Sequence, residues 1–429
     1  MQGMAADPWT DHLNQAIDLH QRLPIFLGYV DYDDELLAGC GGIYIDLAKL
    51  QAAGVRTLVA SIGFGCYFQT GPRAYHLAGP DDWVLNHQLN RIDHVVDTVR
   101  RCPNACLVER RGDLDPRPND DRVSVVVHLT GNAHTVDLGT VDRLFAHGVR
   151  ATHPAMQYHN RWCTGIDGLS GPAITRFGRD VIARLNALGV VLDTAHASEA
   201  SARAMIETSS KPVIDSHTTS RALVPSSRGL RDTTLRLIAE HGGVIGVHFA
   251  DHMLSCDVWA RKYTPVDPAA QELPPRRWRY NQYLLDTYSD PDERMRWRPG
   301  PPPPWDRKVM LSDNPDWEID PAESWEAEQA FYQEHDLPPD LDPPMGRIAT
   351  ITHLANLVDY LINLVGDEHV ALGGDVGGIS ADQWPLGLDH TGHLPRLTAD
   401  LLGRGYGEDS LRRILSNNWY RIYRECLPT

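Results

Sequence analysis

The 429-residue chain has no apolar run approaching the roughly 18–20 residues of a membrane span. Its opening stretch, MQGMAADPWTDHLNQ, lacks the charged segment and apolar core of a secretory signal. Positive charge is also scarce. Lys and Arg number 40 against 57 Asp and Glu, a formal net charge of −17, which argues against nucleic acid or an anionic membrane as the main partner. Cysteine is sparse and odd in number: Cys40, Cys66, Cys102, Cys106, Cys163, Cys256 and Cys426 are scattered along the chain. They read as reduced thiols of a cytoplasmic protein, and Cys102 and Cys106 have no second pair to complete a metal knuckle. No GxGxxG follows an early strand-like run, which argues against a dinucleotide fold. What is present, 42% hydrophobic and 23% charged residues, is the composition of a globular protein. The length suits one large α/β barrel with insertions or two ordinary domains.

Short β-branched runs alternate with amphipathic stretches. The runs are residues 15–20, 55–63, 123–129, 149–156, 190–196, 212–217, 243–249 and 369–375, each a few apolar residues closing on a polar or glycine-containing end. Between them, 174–188 carries apolar residues at helical spacing before Gly189, Ser198 begins a second helix, and further helices are expected at 232–241 and 348–365. Eight strand-like runs with intervening helices predict a (β/α)8 TIM-type barrel. The rhythm breaks between 256 and 344, a Pro- and Trp-rich stretch holding six of the eleven tryptophans. The expected organisation is therefore barrel over 1–255, an insertion after the seventh strand over 256–344, and the last strand and C-terminal helices over 345–429. The insertion reads as a lid or as the arm of a homodimer.

His20, His196 and His217 each end a strand-like run, His248 lies near the end of another, and Asp375 ends the last. Strand C-termini share one face of a barrel, so these side chains can converge despite their separation in sequence. Imidazole and carboxylate are the ligand types of hydrolytic zinc. A lone His at a strand end is ordinarily a hydrogen-bonded residue, so the signal is the set.

The stretch NRWCTGIDGLSGPAITRFGRDVIARLNALGVVLDTAHAS (160–198), followed by KPVIDSHTTSRALVPSSRGLRD (211–232), resembles the membrane (renal) dipeptidase family, peptidase family M19 of the amidohydrolase-like barrels. GDEHVALGGD (366–375), NNWYRIY (417–423) and IDLHQRLP (17–24) extend the likeness over most of the chain outside the insertion. The resemblance implies a barrel of the metal-dependent hydrolase kind and a binuclear zinc dipeptidase that cleaves a peptide bond beside a free carboxylate. Carried over by position, His20 ligates one metal and His196 and His217 the other. Asp375 contacts the first metal and acts as general acid/base, Arg228 holds the substrate carboxylate, and Asn160 joins it as a substrate-binding candidate.

The departures matter as much. Arg22 stands where the first motif has its second carboxylate. Thr130 and Gly131 stand at the place of the metal-bridging Glu, Met156 at that of a carbonyl-polarising His, and Met253 at that of a substrate-binding Tyr. Two divalent ions need anionic bridging to offset their repulsion. The sequence therefore leaves three states open: one Zn²⁺ on His196 and His217 with Asp375, His128 or His153 as third ligand, no metal, or a substituted pair. One ion or none is favoured over two. The expected function is a dipeptidase-like hydrolase of a small, carboxylate-bearing substrate, with Arg22 as a second anion contact. The alternative is a diverged, non-hydrolytic member that binds or transforms a small molecule.

Overall fold

A computed structural model of the chain describes residues 10–32, 46–63, 83–115, 120–132, 137–156, 160–166, 172–256, 258–259, 349–379 and 383–429, with Leu36 and Thr135. Eight parallel strands form a barrel: β1 Ile25–Asp31, β2 Val55–Gly63, β3 Val123–Thr130, β4 Val149–His153, β5 Val191–Leu192, β6 Ile214–Thr218, β7 Val244–His248 and β8 Val370–Val376. The order β5-β4-β3-β2-β1-β8-β7-β6 is continuous. A parallel bridge from Asp193 to Ile214 joins its two ends and closes the barrel. A short strand, Ala105–Leu107, pairs with the outer edge of β3. Seven of the eight expected runs become barrel strands. Of the expected insertion, only Cys256, Val258 and Trp259 belong to the described residues.

The exception is the first run. Residues 15–20 lie in helix α1, Leu13–Arg22, which buries Ala16, Leu19 and His20, a helical 3–4 spacing rather than an alternating one. Leu23, held extended before Pro24, ends the helix. The true first strand is the following IFLGYVD.

One residue from each strand builds the barrel floor: Phe26, Val59, Val126, Ala151, Val191, Ile214, Val244 and Ala371 cluster with Trp419, Tyr420, Ile422 and Tyr423 of the C-terminal helix, Asn418–Cys426. That helix plugs the N-terminal end of the barrel, with Phe26 packed edge-on to Tyr420 and stacked on Tyr423. Side chains alternate along a strand, so the position two residues beyond each floor residue also points inward. That places Ser61, His128, His153, Asp193 and Ser216 above the floor, all buried. The interior is apolar at the bottom and polar at the top because of this period of two. Gly246 keeps the strands close, since any Cβ there would overlap the Ser216 carbonyl.

Among the described residues no helix is long and apolar enough to cross a membrane.

His20 and Arg22 are thus displaced from the strand-end face. His20 lies on α1, with Nδ1 2.6 Å from the Ala53 carbonyl and Nε2 2.7 Å from Thr398 Oγ1. Arg22 is half exposed and pairs with Asp18 at 2.8 Å and Glu408 at 3.0 Å. Burial drives the His20 pKa from 6.5 down to about 4, so the native chain holds it neutral. Between those two pH values the unfolded chain binds a proton that the native chain refuses. Stability present above pH 6.5 is therefore lost as pH falls toward 4, by at most about 3 kcal/mol from this one group. Urea titrations should show a His20→Gln variant losing less stability than the parent over that interval. Equal losses in the two proteins would refute this reading of His20.

Candidate active site

The strand C-termini gather a buried set of rings. His128 ends near the top of β3, His153 closes β4, His196 follows β5, His217 lies in β6 and His248 closes β7. Ring centroids are 5.2 Å apart for His128 and His153, 5.1 Å for His153 and His196, 5.3 Å for His196 and His217, and 5.5 Å for His217 and His248. A register shift between Asp215 and Thr218 bends β6, and both Ser216 and His217 are fully buried there. A second shift, in β1, accompanies the inward turn of Tyr29, whose ring stacks on His217 with centroids 3.9 Å apart and 23° between planes.

Beneath the rings is a fixed charge. Asp193 Oδ2 is 3.2 Å from His128 Nε2, while Oδ1 accepts from the Ala195 and Ser216 amides at 2.9 and 3.0 Å. Burial alone would raise this carboxyl. The His128 contact, followed by the His153 charge, outweighs it and holds Asp193 below the usual range.

Asp375, at the end of β8, faces His248, whose Nε2 lies 3.2 Å from Oδ2, and His217, whose Nε2 lies 3.9 Å from Oδ1. Burial pushes Asp375 up, but His248 holds it ionised below its ordinary value. Asp31, ending β1, is the neighbouring carboxylate. Burial and then the Asp375 charge push it up. The two acids crowd one glycine, because a Cβ on Gly378 would overlap an oxygen of each. Arg228, in the loop after β6, donates from Nη2 to the His217 carbonyl at 2.7 Å. Burial and then the Arg228 charge keep His217 well below its ordinary value, hence neutral. Burial, followed by the His128 charge, lowers His153 to about 3.

His196 and Asp375 share a further feature. Among the described residues they are the non-glycine positions with positive φ, 62° and 68°. Side chains seldom tolerate this left-handed backbone, which costs of order 1–3 kcal/mol and concentrates at functional sites.

Four of the sequence-derived candidates therefore come together: His196, His217, Asp375 and Arg228. His20 and Arg22 do not, being carried to the N-terminal side of the barrel by α1. Asn160 is buried within its own loop, with Nδ2 donating to the Pro154 carbonyl and Oδ1 accepting from Trp162 and Cys163 amides at 2.8 and 3.3 Å. These hydrogen bonds staple that loop. Sequence reasoning missed Asp31 and Tyr29 as site residues. Both lie near the C-terminal end of β1, with Tyr29 two residues before Asp31. Likewise β4 ends at His153, so Met156, three residues farther, is not the strand-end side chain. Met253 is buried in the apolar core.

At the position of the bridging Glu, Thr130 shares hydrogen bonds with the Tyr29 hydroxyl at 2.8 Å and with Ser61, which also donates to Tyr29 at 2.8 Å. Three neutral hydroxyls thus close on one another. Among the described residues no group of three or more His, Cys, Asp or Glu side chains is drawn together to hold a metal ion.

The membrane dipeptidase model, peptidase family M19, matches residues 12–427. The chain belongs to this family. Similar proteins include an uncharacterised Klebsiella pneumoniae protein in the pqqA 5' region, 25% identical over 340 residues, 78% of this chain and 91% of that one. Dipeptidase 3 of Rattus norvegicus is 20% identical over 344 residues, covering 77% of this chain. That alignment spans only about half, 51%, of the Dipeptidase 3 length. Among solved structures, the probable dipeptidase PvdM of Pseudomonas aeruginosa aligns over 97% of this chain and 98% of its own at 21% identity, TM-score 0.69. A Rhodobacter sphaeroides metallo peptidase, liganded with a phosphinate mimic of L-Ala-D-Ala, aligns over 94% and 99% at 19% identity, TM-score 0.63. These likenesses agree with the barrel seen here.

Removing the Asp193 carboxylate strands His128 and two backbone amides in the interior. Asp193→Ala should cost about 2–3 kcal/mol or more in chemical denaturation, the scale of leaving several buried polar groups without partners. A loss below about 1 kcal/mol, the scale of one ordinary hydrogen bond, would contradict this role.

Proposed function

We propose that the chain is a dipeptidase-like hydrolase acting on an amide or peptide bond of a small, carboxylate-bearing substrate, with fewer metal ions than a binuclear centre. The observation that carries this reading is the meeting of an ionised Asp375, neutral imidazoles and the Arg228 guanidinium at one barrel mouth. Arg228 suits the substrate carboxylate because its planar fork offers paired donors. Asp375 accepts a proton from the attacking water and returns it to the leaving nitrogen as the C–N bond breaks. His153 Nδ1 lies 3.0 Å from the Ala155 carbonyl and 3.3 Å from the Gly131 amide, and its buried Nε2 has no hydrogen-bond partner.

The residues fit one ion better than two. His217 and His153 each keep a buried, unpartnered Nε2, a nitrogen suited to zinc. His196 and His217, with a carboxylate of Asp375 or Asp31, are the residues that would hold such an ion. When bound, zinc would polarise the scissile carbonyl and acidify water. A second ion would have to sit where Tyr29, Ser61 and Thr130 bond to each other, without anionic bridging. The same hydroxyl group favours, as a second reading, a metal-free member that binds a small molecule without hydrolysing it.

Two measurements test the proposal on protein purified without chelator. L-Ala-D-Ala hydrolysis should be detectable, with Asp375→Asn lowering kcat by ~10²–10⁴-fold, the usual worth of a general acid/base. Elemental analysis should give about one zinc per chain, from the ligand chemistry above. Two ions per chain would overturn the reduced-metal reading, and neither metal nor hydrolysis would leave the second reading.

A further inference from the structure

His248 belongs neither to the expected ligand set nor to the mechanism just described, although it touches the acid/base. It closes β7 and is 3% exposed. Its Nδ1 accepts a hydrogen bond from the Ala250 amide at 3.0 Å. An amide N–H can only donate, so Nδ1 must offer a lone pair and carries no proton. The imidazole is then neutral with its single N–H on Nε2, and that nitrogen is 3.2 Å from Asp375 Oδ2. The neighbouring Phe249 amide donates to the Gly374 carbonyl at 3.0 Å, tying the end of β7 to the residue before Asp375.

We infer that His248 is the positioning residue for Asp375: a backbone-fixed Nε2–H donates to Oδ2 and leaves Oδ1 as the oxygen turned toward the reacting atoms. Asp375 lies near the end of β8 at a left-handed φ of 68°, where the register with β1 shifts from Gly374 to Val376 and skips it, so the strand pairing does not set its direction. The His248 contact supplies that direction, as an outer hydrogen-bond partner orients an inner group in metal and acid/base sites. The kinetic consequence rests on the hydrolytic reading above, whereas the tautomer and the contact do not.

The experiment uses full-length protein labelled with [15N]histidine, as purified, with the His248 resonances assigned by their absence from H248Q. The expected spectrum is a neutral Nε2–H imidazole. An imidazolium, or an Nδ1–H form such as an ion on Nε2 would impose, overturns the inference. In L-Ala-D-Ala hydrolysis, H248A should lower kcat ~10–100-fold, the usual cost of losing such a partner, with KM changed less than about twofold. H248Q, whose amide can donate to Oδ2, should regain most of the rate, while equal rates for H248A and parent overturn the positioning role. A parent that does not hydrolyse L-Ala-D-Ala defeats the hydrolytic reading instead, and the spectrum alone then decides the inference. Thermal midpoints of both variants separate a folding loss from a kinetic one.

Discussion

The barrel closes on one buried carboxylate. β5 is two residues long, and the seam between β5 and β6 has a single backbone bridge, Asp193 to Ile214. Asp193 reinforces that seam by accepting from the Ser216 amide, and it binds His128 across the interior. Thr194 adds its own amide, donated to the Ile214 carbonyl at 2.8 Å. Fully buried and ionised, Asp193 would be costly without these partners, and with them it defines where β5 and β6 meet. His128 then packs edge-on to Tyr29, which stacks on His217. The position of the candidate active site is thus coupled to the closure of the fold.

Above that anchor, the interior trades carboxylate for hydroxyl. Tyr29, Ser61 and Thr130 satisfy one another without charge, and burial holds the Tyr29 hydroxyl protonated by raising its pKa far above the ordinary value. Negative charge at the mouth is left to Asp31 and Asp375, whose mutual repulsion favours binding a proton or a cation between them. The cationic counterpart, Arg228, is bonded to the His217 carbonyl. A polar mouth thus lies over an apolar floor.

Much of this was legible in the sequence, for identifiable reasons. Seven strands announced themselves by apolar runs with polar ends, and His196, His217, Asp375 and Arg228 followed from strand-end position and motif likeness. The first strand did not, because QAIDLH reads as a short apolar run unless its 3–4 spacing is weighed against the IFLGYV that follows. That slip carried His20 and Arg22 into the site and left Tyr29 and Asp31 out. Asp193 was invisible for another reason. Its role depends on a seam between strands that only three-dimensional closure creates, and a buried Asp two residues past a floor position looks like any other acid in the chain. The 256–344 stretch falls almost wholly outside the described residues, so its expected lid or dimer role stays a sequence reading.

The left-handed backbone at His196 and Asp375 links stability to chemistry. Neither strain is relieved locally, so the surrounding hydrogen bonds must hold it: the His196 carbonyl accepts from the Ile166 amide at 2.9 Å, and Phe249 and His248 brace the turn at Asp375. The floor beneath is independent of these contacts. It is an apolar plug of C-terminal helix aromatics that fills the barrel from the opposite end. Strain can therefore be stored at the mouth while cohesion is supplied at the base. The hydroxyl layer of Tyr29, Ser61 and Thr130 lies above the apolar layer that holds the strands together, so side chains at the mouth can change while that lower layer keeps the barrel closed.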